Sequence, residues 1–238
     1  MHVLAQLDRA RAEIDVLEHP FYLRWSAGEL GAQELARYAA EYRHAVLALA
    51  QASARAAGAA SPAHAELLCA HAEEEAAHVA LWDRFADAAA ARASSLGAER
   101  PPPGPLGETR LCARAWTAGE DLLEHLAVLY AIEAGQPQVA STKLEGLVRH
   151  YGYSSQGPAV EYFTLHAVRD RDHARDARAL IRQLLADAQH GAHATARMAR
   201  RARAALRGNW RLLDGVEAAA GAQRAGPCSR SGPVSVST

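Results

Sequence analysis

Lysine is almost absent from this chain of 238 residues: Lys143 stands alone among 26 basic residues, and the other 25 are arginine. Cysteine is sparse too. Cys69, Cys112 and Cys228 form an odd, unpatterned set, which excludes a disulfide framework and a cysteine-ligated zinc site and suits a reducing compartment. Cys69 and Cys112 read as small buried hydrophobes rather than nucleophiles. No apolar run approaches the roughly 20 residues of a membrane span, so no membrane partner is expected. The formal net charge is −1, which removes the electrostatic ground for binding nucleic acid. His2, Asp8, Arg9 and Arg11 interrupt any apolar run at the N-terminus, so no signal peptide and a cytoplasmic protein are expected. No segment alternates apolar and polar residues, and there is no internal repeat. The fold class is therefore all-α.

Half of the residues are hydrophobic, enough for one sizeable core. Residues 3–18 read as a helix ended by His19-Pro20, since proline restricts the residue before it. Phe21 to Trp25 is a short ring-rich segment in which Phe21 and Trp25 fill the core. A second helix is predicted over 29–57. Ser61 is a natural N-cap, with Pro62 at the first position of a third helix over 62–92. Residues 94–107 are a loop by composition. A fourth helix is predicted over 108–134, closed by Gly135 and Pro137, and a fifth over 138–150. A turn at 151–158 precedes a sixth helix over 159–189, and a basic, Ala-rich seventh ends near Ala220. Residues 1–220 form one domain, and 221–238, rich in Pro, Ser and Gly, are expected to be disordered.

The sixth helix carries His166, Asp170 and His173. Spacings of i, i+4 and i+7 stack all three on one face. Two imidazoles and a carboxylate from one side suit a first-row transition metal. The third helix offers Glu74 or Glu75 with His78, at i, i+4 or i, i+3. Glu133 closes the apolar run Leu126-Ala-Val-Leu-Tyr-Ala-Ile; a carboxylate there is costly to bury unless paired or metal-bound. Six ligands from three helices fit a carboxylate-bridged pair of iron or manganese ions, whereas zinc alone needs four.

The run Tyr130-Ala-Ile-Glu133-x3-Pro137-x5-Lys143-x-x-Gly-Leu147-x3-Tyr151-Gly152, followed by Glu161-Tyr-Phe-Thr-Leu-His166-x3-Asp170-x2-His173, resembles the haem-oxygenase-like di-metal oxidases. The resemblance is nearest to their CADD-like group, related to the quinone-synthesis protein C (pyrroloquinoline quinone) and to the thiaminase-II (TenA) fold. His19-Pro-Phe-Tyr22-x-x-Trp25 and His78-x-x-Leu-Trp82 match too, so it covers roughly residues 15–190.

The resemblance implies a seven-helix bundle around an Fe/Fe or Fe/Mn pair that activates O2 with a reductant. It also implies formation of para-aminobenzoate for folate by self-sacrifice. The ring-donating tyrosine maps to Tyr22 and the nitrogen donor to Lys143; Tyr38 and Tyr162 are the other tyrosines near the site. The family's first glutamate lies seven residues before the histidine of the third helix, where this chain has His71. The preferred replacement is Glu74, then Glu75, then His71 itself. Ile132 also stands where the family often has tyrosine. Lys143 falls where an amine is required, and arginine cannot supply one because its guanidinium stays protonated. A homodimer is the expected assembly. Other activities consistent with the sequence are oxidation of an external amine or fatty acid, a cofactor-independent PqqC/TenA-like reaction, and a non-enzymatic interaction role.

Overall fold

Local capping sets where each helix begins. In the computed structural model, which describes residues 3–98, 104–187 and 192–224, helix α1 covers Val3–Glu13 and is followed by a 3-10 turn, Val16–Glu18. Asp15 caps that turn by accepting from the Leu17 N–H at 3.0 Å. His19 Nδ1 accepts from the Phe21 N–H at 3.0 Å and starts α2, Pro20–Ala27. Gly28 ends α2 with φ 75, and a Cβ there would also lie 2.8 Å from the His150 ring. Glycine is the residue that takes this left-handed turn without strain.

The remaining helices are α3 Ala32–Gly58, α4 Pro62–Ser95, α5 Gly107–Trp116, α6 Leu122–Glu133, α7 Gln136–Arg149, α8 Glu161–Asp187 and α9 Ala192–Arg224. The described residues thus form nine α-helices and no strand. All-α is as expected, but the count exceeds seven for two reasons. The ring-rich segment after His19 is a helix of its own. The stretch read as one helix over 108–134 breaks between Trp116 and Leu122, where Asp121 accepts from the Glu124 N–H at 2.9 Å and caps a new helix. Pro137 sits in the first turn of α7, where its missing N–H removes no helical bond. The expected disordered tail is shortened, because α9 runs on through residues 221–224; residues 225–238, and with them Cys228, lie outside the described residues. Cys112 is buried, but Cys69 is exposed: its position on α4 turns outward.

Helix α3 lies along α4, α9 packs on α5 and α6, and α8 packs on α6 and α7. Every residue from Leu123 to Glu133 of α6 is buried. A helix buried on every side belongs at the centre of a fold, and α6 serves two apolar clusters at once. One is built on Trp25, Trp82, Phe85, Trp116 and Phe163. The other is built on Leu4, Leu7, Leu126, Ile181 and Met198. Both long helices α4 and α8 span the two. On α4, Leu68 belongs to the second cluster and Trp82 to the first. On α8, Phe163 belongs to the first and Ile181 to the second. The residues between those anchors, His71 to His78 and His166 to His173, therefore lie at the seam between two cores.

Candidate metal centre

The buried face of α4 runs Leu68, Glu75, His78, Trp82 and Phe85, with His71 half-buried on the same face. The alternating steps of three and four keep these side chains on one stripe. Glu74, one residue from Glu75, is turned about 100° away at 3.6 residues per turn. It stands at the rim, 35 % exposed, against 1 % for Glu75. Opposite, α8 presents buried His166, Asp170 and His173, and α6 ends on fully buried Glu133.

These side chains gather into two groups. His71, Glu75, Glu133 and His173 bring one donor atom each within 4.8 Å of one another, and so do Glu75, His78 and His166. Glu75 belongs to both. His71 Nε2 and Glu133 Oε1 stand 2.9 Å apart, yet neither has a partner in hydrogen-bonding geometry. Both Glu133 oxygens, His71 Nε2, His166 Nε2 and His173 Nδ1 are buried without a hydrogen-bond partner. Buried polar atoms are ordinarily paired. Several unpaired donors converging on common points meet their cost when a cation sits among them, so the residues present fit a metal pair.

The charges respond to that crowding. Burial pushes the Glu133 carboxyl up, with His71 opposing. Burial pulls His71 down, but the Glu133 carboxylate outweighs it and the net direction is up. Burial also opposes protonation of His173, yet the neighbouring Asp170 and Glu133 carboxylates and its bond to Glu74 carry it up to about 9. Asp170 goes down despite burial, because His166 hydrogen-bonds it and the His173 imidazole stands close by. The imidazoles and carboxylates balance one another here as a cation would balance them.

A second layer fixes the imidazoles. Asp170 accepts from His166 Nδ1 at 2.9 Å. Glu74 accepts from His173 Nε2 at 3.0 Å and from Arg169 Nε at 2.8 Å. The Arg169 guanidinium holds the Glu74 carboxyl down at about 2. His78 Nδ1 lies 3.1 Å from Glu75 Oε1.

Beside this cluster lies a chamber of rings. Lys143 of α7 is 1 % exposed. Its Nζ is 4.4 Å from the Tyr42 ring centre, 5.5 Å from Tyr22, 5.6 Å from Tyr38, 5.7 Å from Trp82 and 5.8 Å from Phe163. Burial lowers its amine to about 7, against the pull of the Asp170 charge. Tyr22 and Tyr38 share a 3.0 Å hydrogen bond, and burial pushes both phenols well up. Tyr162, raised in the same way, lies tilted over His166 at 4.1 Å and meets Trp82 edge-on at 4.9 Å. The α2–α7 contact is close: a Cβ on Gly146 would stand 2.4 Å from Trp25 Nε1, and that indole N–H donates to the Lys143 carbonyl at 3.2 Å.

The sequence-predicted residues Glu75, His78, Glu133, His166, Asp170 and His173 are thus brought together, and Lys143, Tyr22 and Tyr38 form a neighbouring group with Tyr162 between. Glu74, the preferred acid, is not in either donor group; its oxygens are committed to Arg169 and His173. His71, ranked last, is. The signal for both was present: the step pattern from Leu68 to Phe85 passes through positions 71 and 75, not 74. Tyr42 of α3 is the ring nearest Lys143 of α7, a contact between distant helices that no single-helix pattern shows.

The profile of a family described as iron-containing redox enzymes matches residues 34–207. The chain belongs to that family. A 4-aminobenzoate synthase of Chlamydia muridarum is 33% identical over 192 residues, covering 79% of this chain and 80% of the relative. One of Nitrosomonas europaea is 29% identical over 230 residues, 89% of each. The fold matches a TenA homologue of Pseudomonas syringae at TM-score 0.74, 16% identity and 91% coverage of both chains. It also matches a Shewanella denitrificans domain with a heme oxygenase-like fold at TM-score 0.73, 17% identity, 98% of this chain and 99% of that one. The protein is accordingly an iron-type oxidoreductase on a haem-oxygenase-like bundle, and no described helix is long and apolar enough to cross a membrane.

Proposed function

We propose that the chain forms 4-aminobenzoate from its own side chains, with Tyr22 giving the ring and Lys143 the nitrogen. The observation that carries this is Lys143. The only lysine of the sequence is wholly buried against Tyr22 and Tyr38, where its amine is held at about 7. A lysine desolvated in this way is a usable nucleophile at neutral pH. The name borne by the relatives supports the product.

The residues that would hold the metals are His71, Glu75, Glu133 and His173 for one ion and Glu75, His78 and His166 for the other, Glu75 being common to both groups. Asp170, 2.9 Å from His166 and 3.6 Å from His173, is the remaining carboxylate in reach of both. Mixed imidazole and carboxylate ligands suit Fe/Fe or Fe/Mn. Iron with O2 and a reductant supplies the oxidising power.

The product is a benzene ring with one further carbon and an amino group. Taking it from Tyr22 requires the Cα–Cβ bond to break and Cβ to be oxidised to a carboxylate with O2 as oxidant; it also requires the ring to exchange its phenolic oxygen for the Lys143 nitrogen, the Cε–Nζ bond breaking and Cε taking an oxygen in its place. Tyr38 Oη, 3.0 Å away, shares a hydrogen bond with the Tyr22 hydroxyl and fixes its position. The rings around Lys143 exclude water, so the amine stays unsolvated. The opening that reaches His71 and His173 is a cavity of about 70 Å³, room for only a few waters. That favours a self-derived substrate over a fatty acid. The test is product per chain with iron, O2 and reductant. No more than one is expected, and none from Lys143→Arg. Many turnovers, or full activity in Lys143→Arg, would replace this reading with an external amine substrate.

A further inference from the structure

Glu74 and Arg169 lie outside both donor groups, at the mouth of the leucine-walled cavity whose floor is His71 and His173. Arg169 grips Glu74 with two nitrogens, Nε at 2.8 Å and Nη2 at 2.5 Å. The same carboxylate receives His173 Nε2 at 3.0 Å. An ionised carboxylate can only accept, so Nε2 carries the hydrogen and the lone pair of a neutral imidazole belongs to Nδ1. That Nδ1 is the buried, unpartnered nitrogen, 3.6 Å from both Glu75 and Asp170.

We propose that Glu74, held by Arg169, is a positioning residue that locks His173 from outside with Nδ1 toward the metals and closes the mouth through which ions leave. The inference rests on the metal-pair reading and deepens it. The chain of guanidinium, carboxylate, imidazole and metal is the arrangement by which outer carboxylates set the tautomer and orientation of a ligating histidine. Loss of such a partner typically costs about 10–100-fold in metal affinity. A pair exposed by a third or more on each side adds little to folding stability, so its worth lies in what it holds.

Full-length protein, freed of metal, is titrated anaerobically with ferrous iron, and release into a chelator is timed. Glu74→Ala should still take up two ions at saturation, but bind about 10–100-fold more weakly and release faster in proportion. Glu74→Gln keeps an acceptor for Nε2 and should fall between. Exposed Glu73→Ala should match the wild type. Unchanged affinity and release in Glu74→Ala would overturn the clamp while leaving the metal pair intact. Saturation of Glu74→Ala at one ion would overturn it differently, making Glu74 a ligand. A wild-type chain that takes up no iron would remove the metal reading and the clamp with it.

Discussion

Two buried polar regions lie side by side in this bundle and solve opposite problems. In the seam between the apolar clusters, acceptors and imidazoles are crowded until several have no partner except a cation. Around Lys143 there is a cationic side chain in a place that offers it rings. The first region stores unmet negative charge and lone pairs; the second drives its one amine toward neutrality. Asp170 is where they touch electrostatically, since its charge is what resists the lowering of the Lys143 amine. The contrast teaches that burial of a charged residue is not itself a sign of pairing. What surrounds the group decides whether it recruits a partner or gives up its charge.

Removing the amine is the sharpest way to break the comparison. Lys143→Arg should abolish 4-aminobenzoate while leaving metal content unchanged, read by product assay and metal analysis on the same sample. The reverse result follows from the seam. Glu75→Ala removes the carboxylate common to both donor groups and should lose both ions, whereas Glu73→Ala should lose none. His166→Ala or His173→Ala should each lose at least one. Retention of two ions in Glu75→Ala would contradict the shared-ligand geometry.

A smaller effect sharpens the contrast in charge. An unfolded lysine titrates near 10.4, and Lys143 in the fold near 7. Between those values the unfolded chain holds a proton that the folded chain does not, so stability should rise with pH across that window. Denaturant melts of wild type and Lys143→Met, compared from pH 7 to 10, should show the rise only in the wild type. The smallest effect concerns the wall of the chamber. Gly146→Ala forces a methyl into Trp25 and should cost about 1–3 kcal/mol by overpacking, seen as a lower melting temperature with metal content unchanged.

Much of this was legible along the chain because it is local. The i, i+4, i+7 spacing of His166, Asp170 and His173 needs only the helical period, and the apolar run before Glu133 already demanded a buried partner. The break between Trp116 and Leu122 was also local: Gly119 and the capping Asp121 stand in the sequence, overlooked inside a helical pattern. The order among Glu74, Glu75 and His71 follows a family position, whereas the stripe of Leu68, Glu75, His78, Trp82 and Phe85 turns Glu75 inward and leaves Glu74 at the rim. Arg169 on Glu74 and Tyr42 under Lys143 join residues separated by 95 positions in one case and lying on different helices in the other. No period along one helix encodes such contacts.

The central claim is that ring and nitrogen come from the same chain. Protein expressed with ring-labelled tyrosine and with lysine labelled at its side-chain nitrogen, then purified and supplied with unlabelled iron, O2 and reductant, tests it directly. The product should carry both labels, in no more than one copy per chain. Unlabelled 4-aminobenzoate, or labelled product in many copies per chain, would contradict it.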